Sequence, residues 1–175
     1  MKTDLEELFL TRRSKESLLE FANANPHTFD ELLLYGLKVD APNAWRSAWL
    51  ICHLMKKNDK RIRPHLSILT ETLLLKKDGH QRQLLLILLQ MELDEETEGL
   101  VFDLSMTIWE DVQKIPSTRI TAFKLVYKIA EKYPELAAEV ELWTDTYYTK
   151  TLSPGIKKSL ITMKTSLLKS IPTRL

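Results

Sequence analysis

Glycine is scarce in this chain, with four in 175 residues. Sandwiches and barrels draw heavily on glycine at their tight turns, so a strand-and-turn architecture is excluded as the organising plan. The same scarcity leaves neither a GxGxxG nor a GxxxxGK[ST] loop to cradle a phosphate. Cysteine occurs once, as Cys52, which permits no internal disulfide. The opening stretch MKTDLEELFL carries acids where a secretory signal would carry an apolar run, and with the lone thiol this sets the expectation of a reducing, cytoplasmic setting. Long hydrophobic runs are missing too. The longest, Leu84 to Leu89, falls far short of the roughly 20 residues that a membrane span needs. No sign of charge dominates either: 25 Lys and Arg against 24 Asp and Glu leave a net +1. As a whole the chain lacks the field of a nucleic-acid or membrane-surface binder, so any charge-driven binding must come from local patches.

Signatures of chemistry are equally thin. His27, His53, His65 and His80 show neither HExxH nor a His and Cys spacing suited to tetrahedral zinc. No elbow or signature sets a serine or cysteine beside a base, and Cys52 falls on a helix expected to pack, where a buried, inert thiol is the default. The acids of MELDEETEGL (Glu92, Asp94, Glu95, Glu96, Glu98) lack the alternating ligands and central glycine of a calcium loop and suit the start of a helix, where negative charge meets the macrodipole. No catalytic residue, cofactor or metal is therefore expected.

What the chain does have is a period. NAWRSAWLICHLMKK from Asn43, GHQRQLLLILLQME from Gly79, PSTRITAFKLVYKIAEK from Pro116 and PGIKKSLITMKTSLLK from Pro154 align without gaps. Each places a cation fourth, at Arg46, Arg82, Arg119 and Lys157, with spacings of 36, 37 and 38. A second marker agrees: Pro26 and Pro64 stand 38 apart, each followed by a histidine, and Pro134 follows 70 residues later. Recurrence at this length is the mark of stacked helical units. The pattern predicts helices near 28 to 39, 43 to 57, 62 to 77, 80 to 91, 95 to 112, 117 to 132, 134 to 149 and 154 to 169. Thr28 with Glu31 and Asp78 with Gln81 fit capping boxes, and Ser153 before Pro154 puts a capping hydroxyl ahead of a proline at the first helical position. DLEELF and SKESLLEFANA read as two shorter helices that cap the first unit.

Asp40, Ala41, Pro42, Asn43, Ala44, Trp45, Arg46 has the turn Asp and the Arg six residues on that mark the HEAT repeat family, which the chain resembles from about residue 28 to 170. Later units depart from it: Asp78 precedes Arg82 by four, and Gln113 and Thr151 take the turn position before Arg119 and Lys157. The resemblance implies an all-α, right-handed α-solenoid in a single domain over 1–175, with a helical cap at 1–27 and four A/B helix pairs at 28–175. It also implies that the cation column bridges turn acids. More remotely the chain is similar to the DNA alkylation repeat glycosylases, which hold DNA in a basic groove lined with aromatic residues. Trp45, Trp49 and Trp109 invite that comparison, and the near-neutral charge opposes it. The serine-loop signature SSxMPxKxNP of the adenylosuccinate lyases is nowhere in the chain.

These readings lead to a non-enzymatic binding module or scaffold for a protein or peptide partner, with a nucleic-acid-binding protein as the alternative. The candidate contact residues, on the outward faces of the second helices, are Arg46, His53, Gln83, Gln90, Lys124, Lys128 and Lys169. Packing is the simpler expectation for Trp45 and Trp49, with partner contact reserved for a ring that stays exposed. The basic run KKNDKRIRPH and the acidic MELDEETEGL form a second candidate, an edge whose loops carry opposite charge.

Overall fold

In a computed structural model of the chain, the described residues are 7–9, 11 and 13–170. Among them all regular structure is helical, with no strand, and the chain divides into two compact units, Met1–Glu92 and Leu93–Leu175.

In the first unit, α1 (Lys15–Ala24) starts at Ser14, whose hydroxyl accepts from the Ser17 amide at 3.1 Å. Of the two short helices expected to cap the repeats, α1 is the second. Residues 7–9 of the first are helical, and Asp4 to Glu6 lie outside the described residues. A 3-10 turn, Pro26–Thr28, leads into α2 (Phe29–Leu37), and a second one, Arg63–His65, leads into α4 (Leu66–Leu73). The two prolines in register thus mark the same entry turn twice. Proline suits it because its fixed φ is pre-set for the first turn, where its missing N–H is no loss.

Between them runs α3 (Ala44–Leu54), which packs against α1, α2 and α5 (Asp78–Leu89). Its inner face is small, with Ala44, Ser47 and Ala48 all buried. That lets α2 come very close. A Cβ added at Gly36 would lie 2.9 Å from the Ala48 amide nitrogen, and the Ser47 hydroxyl donates to the Leu32 carbonyl at 2.6 Å. Leu84, Leu85, Ile87 and Leu88 of α5 are fully buried, as its unbroken apolar run anticipates.

Two of the five cations in the basic run KKNDKRIRPH, Arg61 and Arg63, are engaged by structure, while Lys56, Lys57 and Lys60 are exposed. Asp59 accepts from the Lys56 and Arg61 amides and from the Arg61 guanidinium, which holds its carboxyl well below the usual range. That guanidinium also lies 3.5 Å from the Phe29 ring centroid. Asn58, at φ 54, donates its amide to the Gln90 carbonyl and its side chain to Glu92, and accepts from Arg63.

The second unit is built on α6 (Glu95–Glu110) and α7 (Pro116–Ala130), with α8 (Pro134–Ala137), α9 (Val140–Trp143), α10 (Thr146–Thr149) and α11 (Pro154–Ser170) following. Asp94 caps α6 by accepting from the Thr97 amide, so this acid of the run is a helix start. Another, Glu98, is buried and bound by Lys132 and Tyr133. Trp109, Phe123, Val126, Val140, Trp143 and Leu160 lie in one core.

Two expectations on helices change. Residues 134–149, expected as one helix, form three four-residue pieces. The Trp143 carbonyl, which a continuous helix would give to the Tyr147 amide, accepts the Trp109 indole N–H at 2.8 Å instead. Asp145 then takes the Tyr147 amide on its side chain, also at 2.8 Å. The second change concerns caps. Thr28 turns its hydroxyl to the Asn25 carbonyl, and Asp78 is the first residue inside α5 behind an N-cap at Lys77. Ser153 does accept from the Ile156 amide, at 3.4 Å.

Candidate functional site

The turn from α2 to α3 and the turn from α4 to α5 are equivalent positions of consecutive repeats, and together they wall a cavity of about 670 Å³. Val39, Asp40, Ala41, Asn43 and Trp45 form one side, Leu75, Lys76, Lys77 and His80 the other. A second cavity of about 440 Å³ shares Asn43 and Trp45 and continues over Phe9, Lys15, Arg46 and Trp49. Trp45 therefore stands between two hollows, and it is 46% exposed. Leu75 is 65% exposed beside it, an apolar side chain left in water at the rim.

Local chemistry holds this surface in place. Asn43 adopts the left-handed conformation at φ 56, which asparagine tolerates better than most residues, and its side chain donates to the Phe9 carbonyl at 3.1 Å. Lys76 is buried and reaches across the turn to donate to the Leu37 carbonyl at 2.5 Å. Burial pushes its pKa down to about 8, with the nearby Asp40 opposing the shift. The His80 Nε2 lies 2.7 Å from the Gly36 carbonyl oxygen, which can only accept, so this nitrogen carries the proton. Burial, with Lys76 adding to it, lowers the His80 pKa to about 4, while the Gly36 carbonyl opposes that.

The His80 shift predicts an acid-side loss of stability. The folded value lies below the ordinary 6.5, so between the two the unfolded chain holds a proton that the folded chain does not. The contribution is complete above about pH 6.5 and drains away as pH falls towards 4. In urea titrations across that window, His80→Gln should show a shallower decline than the unaltered chain. Equal slopes would remove His80 as the cause.

The residues singled out by sequence fall in different settings. Arg46, on α3, spends its guanidinium on the carbonyls of Phe9, Thr11 and Arg13, the last at 2.7 Å, while lining the second cavity. His53 is exposed, but its Nδ1 donates to the Trp49 carbonyl at 2.8 Å and its ring lies tilted at 39° against Trp49, with centroids 4.2 Å apart. Gln83 is 7% exposed and so does not lie on an outward face: the core-facing arc of α5 is wide enough to include it. Gln90 is half-buried and donates to the carbonyls of Cys52 and Leu86. In the second unit Lys124 and Lys169 are exposed and Lys128 is half-buried. Of the seven, only Arg46 lines either cavity.

The family model described as HEAT repeat domain matches residues 1–170. The chain belongs to the HEAT repeat family. Neither the curated proteins nor the solved structures compared with it contain a match. The all-α, α-solenoid fold class expected from the period stands with this membership.

Within this HEAT repeat chain the cation column binds carbonyls where turn acids were expected. Arg119, fully buried, donates from Nε to the Trp109 carbonyl at 2.9 Å and from Nη2 to the Tyr148 carbonyl at 2.7 Å. Lys157 donates to the Lys150 carbonyl at 3.3 Å, and Arg46 has its three carbonyls. Arg82 differs, with a buried Nε that has no partner. Asp40, the acid at the expected spacing, lines the larger cavity on the side opposite Lys76.

Val39, Leu75, Lys76 and Lys77 escaped the sequence reading because each sits in a turn with no motif of its own, and His80, in the first turn of α5, was weighed there only as a metal ligand. The repeat register was the available signal. Val39 and Leu75, 36 apart like Arg46 and Arg82, hold matching places in consecutive repeats, so their turns were bound to be neighbours.

Proposed function

We propose that the chain is a non-enzymatic binding module for a protein or peptide partner, and that the partner docks across Trp45. The supporting observation is that half-exposed indole, which lines both of two neighbouring cavities. Large aromatic side chains set centrally in a recess are the residues that most often dominate a binding free energy. HEAT repeat domains are helical scaffolds that typically serve protein interactions, which agrees with a contact surface in place of a reaction centre. Among the described residues no group of three or more His, Cys, Asp and Glu converges, and no helix is long and apolar enough to cross a membrane.

Panning a random peptide display library against the immobilised full chain tests this. Selected peptides should bind Trp45→Ala at least about 30-fold more weakly, the effect of losing a contact worth about 2 kcal/mol. Because the ring is half in water, the variant should unfold at nearly the same urea concentration as the unaltered chain. Peptides that bind Trp45→Ala equally well would place the contact surface elsewhere.

A further inference from the structure

The cavities on either side of Trp45 are lined by cations with little to neutralise them. Lys76 and Lys77 line the larger one, Lys15 and Arg46 the smaller, and among the described residues Asp40 is the single carboxylate in either lining. What these cations touch is neutral. Arg46 faces the carbonyls of Phe9, Thr11 and Arg13, Lys76 that of Leu37, and the Lys15 ammonium lies 5.3 Å from the Trp49 ring centroid. A carbonyl satisfies an N–H but leaves the positive charge in place. Three cations elsewhere are answered by acids: Arg61 by Asp59, Lys132 by Glu98 and Lys164 by Glu141. The chain is near neutral overall, so this positive recess is a local departure, and its low-dielectric walls concentrate the field that an incoming anion meets.

Apolar and aromatic surface is interleaved with the charge. Val39, Trp45 and Leu75 border the larger cavity and the half-buried Trp49 the smaller, whose lining is completed by Phe9 and Leu18, both buried. We infer that the occupant is an acidic peptide segment, laid across Trp45 with an apolar side chain against the indole and carboxylates to either side, towards Lys76 and Lys77 on one and Lys15 and Arg46 on the other. The inference rests on the docking surface proposed above and adds the chemistry of its ligand. Duplex DNA fits less well. Proteins that hold it at ordinary salt neutralise about six to ten phosphates, against four cations here, two of them already engaged with backbone oxygen.

The same display library decides this through composition. Peptides selected on the full chain should be enriched in Asp and Glu around an aromatic or aliphatic residue. Their affinity should fall as sodium chloride is raised, and by at least about tenfold in Lys15→Glu/Lys77→Glu, a pair of exposed positions where reversal leaves the core intact. Enrichment in Lys and Arg, or selected peptides that depend on Trp45 but show no charge bias and tolerate the reversal, would overturn the acidic ligand while leaving the docking surface standing. Selection of nothing that responds to Trp45→Ala would overturn both. A short DNA duplex as competitor completes the test: displacement of selected peptides by duplex, lost in the same reversal, would assign the recess to nucleic acid.

Discussion

Replacing Arg119 with alanine is expected to destabilise the second unit by roughly 3–5 kcal/mol, the range for removing a buried hydrogen-bonded group and leaving a hole. The side chain is fully buried, and its Nε and Nη2 serve carbonyls at Trp109 and Tyr148, one ten residues before it and the other 29 after. The guanidinium also lies 4.7 Å from the Trp109 ring centroid. Alanine would strand both carbonyls and open a void against an indole that itself packs on Phe123. Against this runs a real cost of the native arrangement: burial lowers the Arg119 pKa, which Asp111 partly opposes, so a poorly compensated charge is being held in the core. Methionine relieves that charge and fills the volume, so Arg119→Met should lie between alanine and the unaltered chain. Urea denaturation followed by circular dichroism measures the order, and hydrogen exchange of α6 and α7 locates the loss. A methionine variant as stable as the parent would show that the two carbonyls need no donor there, and the stabilising role of Arg119 would be refuted.

Gly36→Val should be nearly as damaging, by about 2–4 kcal/mol, and its effect should reach the proposed docking surface. At Gly36 the new side chain meets backbone: an added Cβ would lie 2.9 Å from the Ala48 nitrogen and 3.2 Å from its Cα. Neither atom can swing aside as a side chain would, so α2 and α3 must separate. Alanine in a helix ordinarily gains about 1 kcal/mol over glycine, so Gly36→Ala is the sharper comparison. A loss there would show that steric contact outweighs the gain in helix propensity. Because the Gly36 carbonyl holds His80 and the neighbouring Leu37 carbonyl holds Lys76, separation of the helices should also disturb the larger cavity. Peptide affinity in Gly36→Ala would then fall together with stability. A variant as stable as the parent would contradict the close approach.

Much of this was legible from local patterns. The helical class followed from composition, and the repeat from the gapless alignment of four segments, because a period of 36 to 38 residues is written in the chain whatever the helices later do. Pro26 and Pro64 correctly marked one kind of entry turn, since the restriction on proline is local. The break in 134–149 was not legible. Where the second piece ends, the Trp143 carbonyl takes a hydrogen bond from Trp109, 34 residues away, and no local rule distinguishes that carbonyl from its neighbours. The same holds for the contact residues. Gln83 lies at a position where the buried arc of α5 is wider than an amphipathic stripe, and the engagement of Gln90 with the Cys52 carbonyl depends on how α5 meets α3.

Trp45 shows the division most clearly. Its place in the repeat, one residue before the column cation, was readable from the sequence, as was the rule that the ring matters for binding only where it is exposed. Sequence by itself determined the helical class, the period, the proline turns and the cation column, because each depends on residue type at fixed spacing along one chain. Tertiary structure alone decided that Arg46, Arg119 and Lys157 of the column hold carbonyls, that the acid at the expected spacing lines a cavity, and that Trp45 stands open between two hollows lined with lysines. Those outcomes depend on which distant atoms meet, and burial and hydrogen-bond partners exist only once the helices have packed.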